Sequence, residues 1–351
     1  MEPTVESLAP AEFTPSTTFL NTASTGLLPG RTVDAVQQAV QLVAKGESSD
    51  VLHDYVERAR AGFARLLSAP VTRVAAGASV AVYAGLIAAS LPEGAEVVTA
   101  DGDFSSVVTA FHMRPGLKVR SVPLEAVPEA VRPGTALVAV SAAQSADGRV
   151  ADLPALREAA RAHGARTFVD ASQAASWLPL DATEYDYLAA VAFKWLCCPR
   201  GVAFLVVPED FGGLVPVFAG WVAGERPWDS CYGPVRELAH SARRFDESPS
   251  LFSYAGAQHS LALLEDLGVE AIGAHDLALA DRFRAGLARL GHEPLPAPGS
   301  AIVSVPGLGH RQPELSAAGI QLSNRAGNLR VAFHLYNSSG DVDRLLAALA
   351  A

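Results

Sequence analysis

Cysteine is scarce in this chain. The 351 residues hold three, with Cys197 and Cys198 adjacent and Cys231 apart, so neither a disulfide framework nor a CxxC metal pattern can be drawn. That usage leads us to expect a reducing, cytoplasmic setting. Metal-ligand spacing is missing too, because the nine histidines show neither HxxxH nor HxH. Charge is thin at 18% of residues, with a net value of −10 and a pI near 5.4. The arginines form no run, which argues against nucleic acid or an acidic membrane as a partner. The opening MEPTVESLAPAEF lacks the basic and apolar regions of a signal peptide. One stretch, Val74 to Pro92, carries no charge and approaches the length a bilayer needs. Its Ala, Gly and Ser content, and the GAS at Gly77-Ala78-Ser79, fit a buried helix inside a large sheet better.

What the chain does have is apolar material, at 50% of residues. The length suits one large domain with an appendage, or two domains. Strand-like runs at Glu96–Thr99, Lys118–Val122, Ala136–Ser141, Arg166–Asp170, Tyr187–Phe193 and Val202–Val207 alternate with Ala- and Leu-rich helical stretches such as Leu153–Ala162. This predicts an α/β fold, a mostly parallel sheet with helices on both faces. Val202–Val207 follows a Pro-Arg-Gly turn too short for a crossover, so it should pair antiparallel with the run before it. From Gly212 to Pro249 the texture turns Gly-, Pro- and Trp-rich and irregular. A long helix over Ala255–Leu290, broken near Gly268 or Gly273, leads to a smaller α+β unit. Its strands are expected at Ala301–Val305, Ile320–Ser323 and Leu329–Phe333, and its last helix at Ser339–Ala350. The expected division is an N-terminal segment over 1–30, a large domain over 31–254, and a connecting helix with a small domain over 255–351.

The chemistry concentrates between Arg166 and Gly201. Two apolar runs there end in residues that are almost never fully buried without a partner or a function, Asp170 and Lys194. Open α/β sheets bind ligands outside the carboxyl ends of their strands. An amine and an acid at two such ends can face one ligand, the lysine as a Schiff base and the acid on a pyridinium nitrogen. Taken singly, Lys194 could be an ordinary strand end and Asp170 a helix cap.

VDASQAASWLPLD, followed by AFKWLCCPRG, resembles the pyridoxal-phosphate site of the class V aminotransferase and cysteine desulfurase-like superfamily, whose fold is type I of the pyridoxal-phosphate enzymes. The resemblance implies pyridoxal 5'-phosphate on Lys194, Asp170 at its ring nitrogen and Gln173 near its phenolic oxygen. It also implies a phosphate cradle at Gly77, Ala78 and Ser79, where helix-start amides meet a hydroxyl. Phe104 takes the place of the stacking ring, and Gln144, next to Ser145, contacts the 3-oxygen. Phe193 stands where many relatives have a phosphate-contacting His or Tyr. Gly220-Trp221 resembles a kynureninase-like segment that approaches the cofactor of a neighbouring subunit. Arg243 to Ser250 resembles a segment contributed across a homodimer interface.

LRVAFHLYN, over Leu329–Asn337, is similar to the family's C-terminal arginine motif. That assigns Arg330 to a substrate α-carboxylate, which a planar guanidinium grips by two parallel hydrogen bonds. Asn21 and Thr22 match an N-terminal segment lining the substrate pocket, Tyr336 and Asn337 hold the turn after the arginine, and Arg325 is another anion partner to consider. A desulfurase needs a cysteine shortly before that arginine, and Ser323 to Leu329 contains none. The expected activity is that of an enzyme acting on a free amino acid, an aminotransferase first. A C–S or C–C β-lyase and an epimerase are the alternatives, and a non-catalytic scaffold is the remaining one.

Overall fold

Strand and helix alternate through the middle of the chain as the pattern predicts. The computed structural model describes residues 4–47 and 50–351. In chain order the strands are β1 Thr18–Phe19, β2 Val74–Gly77, β3 Glu96–Ala100, β4 Lys118–Val122, β5 Thr135–Ser141, β6 Arg166–Asp170, β7 Tyr187–Val191, β8 Ala203–Val206, β9 Ile302–Val305, β10 Ile320–Gln321, β11 Ser323–Arg325 and β12 Asn328–Ala332. Seven of them form one sheet in the order β2-β8-β7-β6-β5-β3-β4. All its pairings are parallel except the two made by β8.

Apart from the partly exposed edge strand β4, both faces of this sheet are buried, as parallel sheets require. Val138, Val140, Leu188, Ala190, Phe204 and Val206 belong to one core cluster, and their alternating neighbours Leu137, Ala139, Ala189, Val191, Ala203 and Leu205 to another. The helix Leu153–His163 shows how local chemistry sets the boundaries. Asp152 accepts from the Ala155 N–H at its start, Pro154 sits in its first turn, and Gly164 ends it in the left-handed region at φ 67°.

Three boundaries differ from expectation. The uncharged stretch from Val74 begins as strand β2, and the helix runs only over Val80–Ser90. Four alternating small residues fit the sheet edge beside β8 before the chain turns at Ser79. Among the described residues no helix is long and apolar enough to cross a membrane. The long connector is two helices, Leu251–Leu267 and Val269–Arg289, parted at Gly268, where φ is 83°. Gly273 lies inside the second. Finally, the run Ile320–Ser323 is divided: β10 pairs with the N-terminal β1, while β11 pairs with β12.

The C-terminal unit is the antiparallel sheet β11-β12-β9, packed through Val303, Val331 and Phe333 against Phe283, Leu345 and Leu349. The N-terminal segment adds to it. Leu8 donates to the Leu335 carbonyl at 2.8 Å, and Val5 to Ser339 Oγ at 2.8 Å. Residues from both ends of the sequence therefore meet above the C-terminal edge of the large sheet.

Candidate active site

Strands β6 and β7 lie side by side, and their carboxyl ends carry Asp170 and, three residues past Val191, Lys194. Both line a cavity of about 460 Å³ together with Ser24, Ser79, Phe104, Ser145, Arg200 and Arg325. Lys194 is 6% exposed. Burial pulls its amine down to about 8, Asp170 opposes that pull, and Arg330, Arg200 and Arg325 add to it. An amine in that range keeps a neutral, nucleophilic fraction near physiological pH that an ordinary lysine lacks. Burial pushes the Asp170 carboxyl up, against the hydrogen bonding of Ser172 and the charge of Lys194. Ser172 N–H donates to Asp170 Oδ1 at 2.9 Å, and Ser172 Oγ accepts from the Val191 N–H, so one serine ties the two strand ends together.

The backbone at Lys194 is clamped from the N-terminal segment. Gly26 N–H donates to the Phe193 carbonyl at 2.9 Å, and a Cβ built on Gly26 would collide with the Lys194 carbonyl oxygen. Replacing Gly26 with alanine is expected to lower stability by about 1–3 kcal/mol, as overpacking does. It should also displace the lysine, so a thermal melt and cofactor occupancy should fall together. On the other side, His334 Nε2 meets the Trp195 carbonyl at 2.9 Å, and its Nδ1 meets Asp276 at 2.9 Å. Sequence reading did not single out His334 or Asp276, because neither lies at a strand end that points to a ligand.

Arg330 is 1% exposed. Its Nε donates to Ser323 Oγ at 3.1 Å, Nη1 to Ser145, and Nη2 to Ser24 Oγ at 2.7 Å. Burial, with Arg325 nearby, pushes its guanidinium down to about 9. No carboxylate pairs with it among the described residues. A buried cation without a counter-charge is costly, and an anionic ligand would relieve that cost.

The remaining predicted residues divide. Phe104 lines the cavity with its ring 4.9 Å from Lys194 Nζ. It is held by Asp103, which accepts from the Phe104 N–H at 2.6 Å and from Ser141 on β5 at 2.8 and 2.5 Å. Ser79 lines the cavity and caps the Val80–Ser90 helix. Gly77 and Ala78 lie behind it, and the Ala78 N–H donates to Glu247 Oε1 at 2.8 Å. Gln173 lies beneath the lining: its Nε2 reaches Ser145 Oγ and the Ala23 carbonyl, and its Oε1 accepts from the Trp195 indole. Gln144 also stops short of the lining, which its neighbour Ser145 joins. Thr22 bonds the Tyr336 hydroxyl and Asn21 accepts from Ser24, so Ala23 and Ser24, not the predicted pair, reach the cavity.

Trp221 lies elsewhere, in a second cavity with His53 and Trp228. Asp246 pairs with the buried Arg60 at 2.7 Å and accepts from the Ala76 N–H, so this part of the Arg243–Ser250 segment is bound within its own chain. None of the three cysteines lines the first cavity.

The chain as a whole is matched by relatives. The family model for aminotransferase class-V covers residues 18–306. The chain belongs to that family. Its class V membership makes it a pyridoxal-phosphate enzyme. An uncharacterized aminotransferase, YcbU, of Bacillus subtilis is 32% identical over 69% of this chain and 69% of its own length. Isopenicillin N epimerase of Streptomyces clavuligerus is 27% identical over 95% of this chain and 94% of its own. The solved structure of the cystine C–S lyase C-DES superposes with a TM-score of 0.85 at 24% identity, covering 95% of this chain and 97% of that one. The likeness confirms the type I fold.

The class V cofactor suits what these residues offer. The Ala78 amide at the cradle already takes an anionic oxygen. The buried Gln144 Nε2 has no hydrogen-bond acceptor of its own. An amine lowered by burial and a buried acid stand at adjacent strand ends.

Proposed function

We propose that this class V enzyme transaminates a free α-amino acid. The observation that carries the reading is Arg330, a buried guanidinium without an acid partner, bonded to Ser24 and Ser145 of a cavity that also holds Lys194 and Asp170. When bound, pyridoxal phosphate supplies an aldehyde for the amine and an electron sink for charge at the substrate α-carbon. Lys194 would hold it, Asp170 would keep a proton on its ring nitrogen, Phe104 would pack against its ring, and the Gly77–Ser79 turn would bind its phosphate.

Arg330 fixes the substrate by its α-carboxylate, which turns the α-hydrogen toward a single base. Lys194 is the lining amine with an affinity for protons near neutrality. One amine could take that α-proton and deliver it on the same face to the carbon of the cofactor's former aldehyde, the transfer between two carbons that transamination requires. Elimination needs an acid for the leaving group, and Cys231 is exposed and outside the cavity.

Epimerisation is the second reading, favoured by the near full-length match to isopenicillin N epimerase. It calls for a second proton donor on the opposite face, and beside Lys194 the lining offers no second amine, imidazole or thiol among the described residues. The same reading has the enzyme working as a homodimer in the cytoplasm. Val215, Val217, Phe218, Trp228 and Tyr232 are exposed on the irregular segment as an apolar surface a second copy would cover.

The test is stoichiometry with the loaded enzyme. Transamination gives one oxo acid per site from the responding amino acid, and continuous turnover only after an acceptor oxo acid is added. Continuous release of pyruvate and ammonia without an acceptor would replace this reading with β-elimination. Inverted product without oxo acid would replace it with epimerisation.

A further inference from the structure

The β11–β12 hairpin carries a second arginine toward the same place. Arg325 ends β11, the chain turns through Ala326 and Gly327 at positive φ, and Arg330 sits on the returning strand opposite Ser323. Both guanidiniums converge on one hydroxyl. Arg330 Nη2 donates to Ser24 Oγ at 2.7 Å and Arg325 Nη2 to the same oxygen at 3.0 Å. Ser24 in turn donates to Asn21 Oδ1 at 2.7 Å, so its oxygen is fixed between the two cations. Arg325 otherwise bonds only the Asn324 carbonyl, and among the described residues no carboxylate pairs with either arginine.

Like charges meeting at one oxygen repel, and the proximity is felt by Arg330. The rest of the cavity does not neutralise them. Its lining adds Lys194 and Arg200, the latter stacked 4.1 Å over Phe193, against one acid, Asp170. This surplus of positive charge sits in a chain whose net charge is −10. The α-carboxylate proposed above uses the fork of Arg330. Arg325, exposed at the cavity wall, has no carboxylate partner among the described residues.

We propose that the substrate is an amino acid with a second anionic group on its side chain, of the carboxylate class, held by Arg325 while Arg330 takes the α-carboxylate. The inference rests on the assignment of Arg330 in the proposed function. Charge-assisted hydrogen bonds distinguish a carboxylate from its neutral amide by about 10- to 100-fold. A site built for the acid leaves Arg325 without its anion when the amide binds.

The experiment compares isosteric pairs on the loaded enzyme: kcat/KM for aspartate against asparagine and glutamate against glutamine, in the wild type and in Arg325→Gln. The expected result is a preference for one acid over its amide of about 10- to 100-fold. That acid-to-amide ratio should collapse in Arg325→Gln and recover in part in Arg325→Lys. A ratio near unity in the wild type overturns the proposal. So does a ratio that Arg325→Gln leaves intact, since Arg325 would then share the single α-carboxylate or merely brace Ser24.

Calorimetric binding of glutarate against butyrate gives a readout that needs no turnover and survives failure of the transamination reading. Glutarate should bind the wild type tighter, with the advantage lost in Arg325→Gln. Equal binding of the two overturns the second anion site, whatever reaction the enzyme performs. Amino-acid turnover left intact in Arg330→Gln, with the glutarate advantage kept, would move the failure to the α-carboxylate assignment alone.

Discussion

Lys194→Ala purified with pyridoxal phosphate is expected to show no borohydride-sensitive visible band, whereas the wild type should show one. The amine is the only lysine of the cavity lining, and it is both the covalent tether and the base. Removing it therefore removes two functions at once. Loss of a positioned base alone costs about 10²- to 10⁴-fold, and loss of the Schiff base adds to that, so kcat/KM should fall at least ~10⁴-fold. The wild type has a corollary in pH. Because burial pulls the amine down to about 8, the neutral, nucleophilic fraction grows as pH rises through about 8 and is saturated well below the ordinary lysine range. The rate at which the apoenzyme takes up pyridoxal phosphate, followed by absorbance, should rise through that window and then level. A rate still climbing near pH 10 would show that the lysine is not held in the buried state described.

Asp170→Asn is expected to separate activity from stability. The carboxyl is 4% exposed, and its burial pushes it above its ordinary value of 3.8. A group whose folded value is raised stabilises the protein at low pH and costs stability as the pH rises through the folded value. At neutral pH the buried carboxylate is thus a liability of the apo fold. Asparagine keeps an oxygen for the Ser172 N–H without that charge, so the apo Tm should hold or rise. Activity should move the other way, by about 10²- to 10³-fold in kcat, as when one preorganised electrostatic partner is removed. An amide cannot keep a proton on the ring nitrogen. A variant that loses apo stability and activity in parallel would make Asp170 a structural residue.

Much of this was legible without coordinates. The strand Arg166–Asp170 is where the pattern put it, because a short apolar run closed by an acid has few other solutions in an α/β chain. The antiparallel partner of the lysine strand followed from turn length. The lysine strand itself stops at Val191 rather than Phe193. Cys198 N–H returns to the Ala192 carbonyl and Cys197 N–H to that of Lys194, folding the lysine into a turn. The edge strand β2 was hidden in the uncharged run because four small residues read alike as strand or helix without a neighbour to pair with.

By itself, then, the sequence determined the alternation of elements and the placing of a lysine and an acid at the ends of two apolar runs, by local pattern and spacing, while the arginine near the C-terminus was legible only through the resemblance of LRVAFHLYN to a family motif. Which residues reach the cavity was decided only by tertiary structure. Ser24 and Ser145 enter where Thr22 and Gln144 were expected, since the chain turns at both places and a turn, not a strand repeat, sets which side chain faces the cavity. The Gly26 clamp, the His334–Asp276 support of Trp195 and the meeting of Arg325 with Arg330 on Ser24 all join residues far apart along the chain. No periodicity records such a pairing. It exists because both ends of the chain pack together over the carboxyl edge of the sheet, bringing their polar groups within hydrogen-bond reach of one cavity.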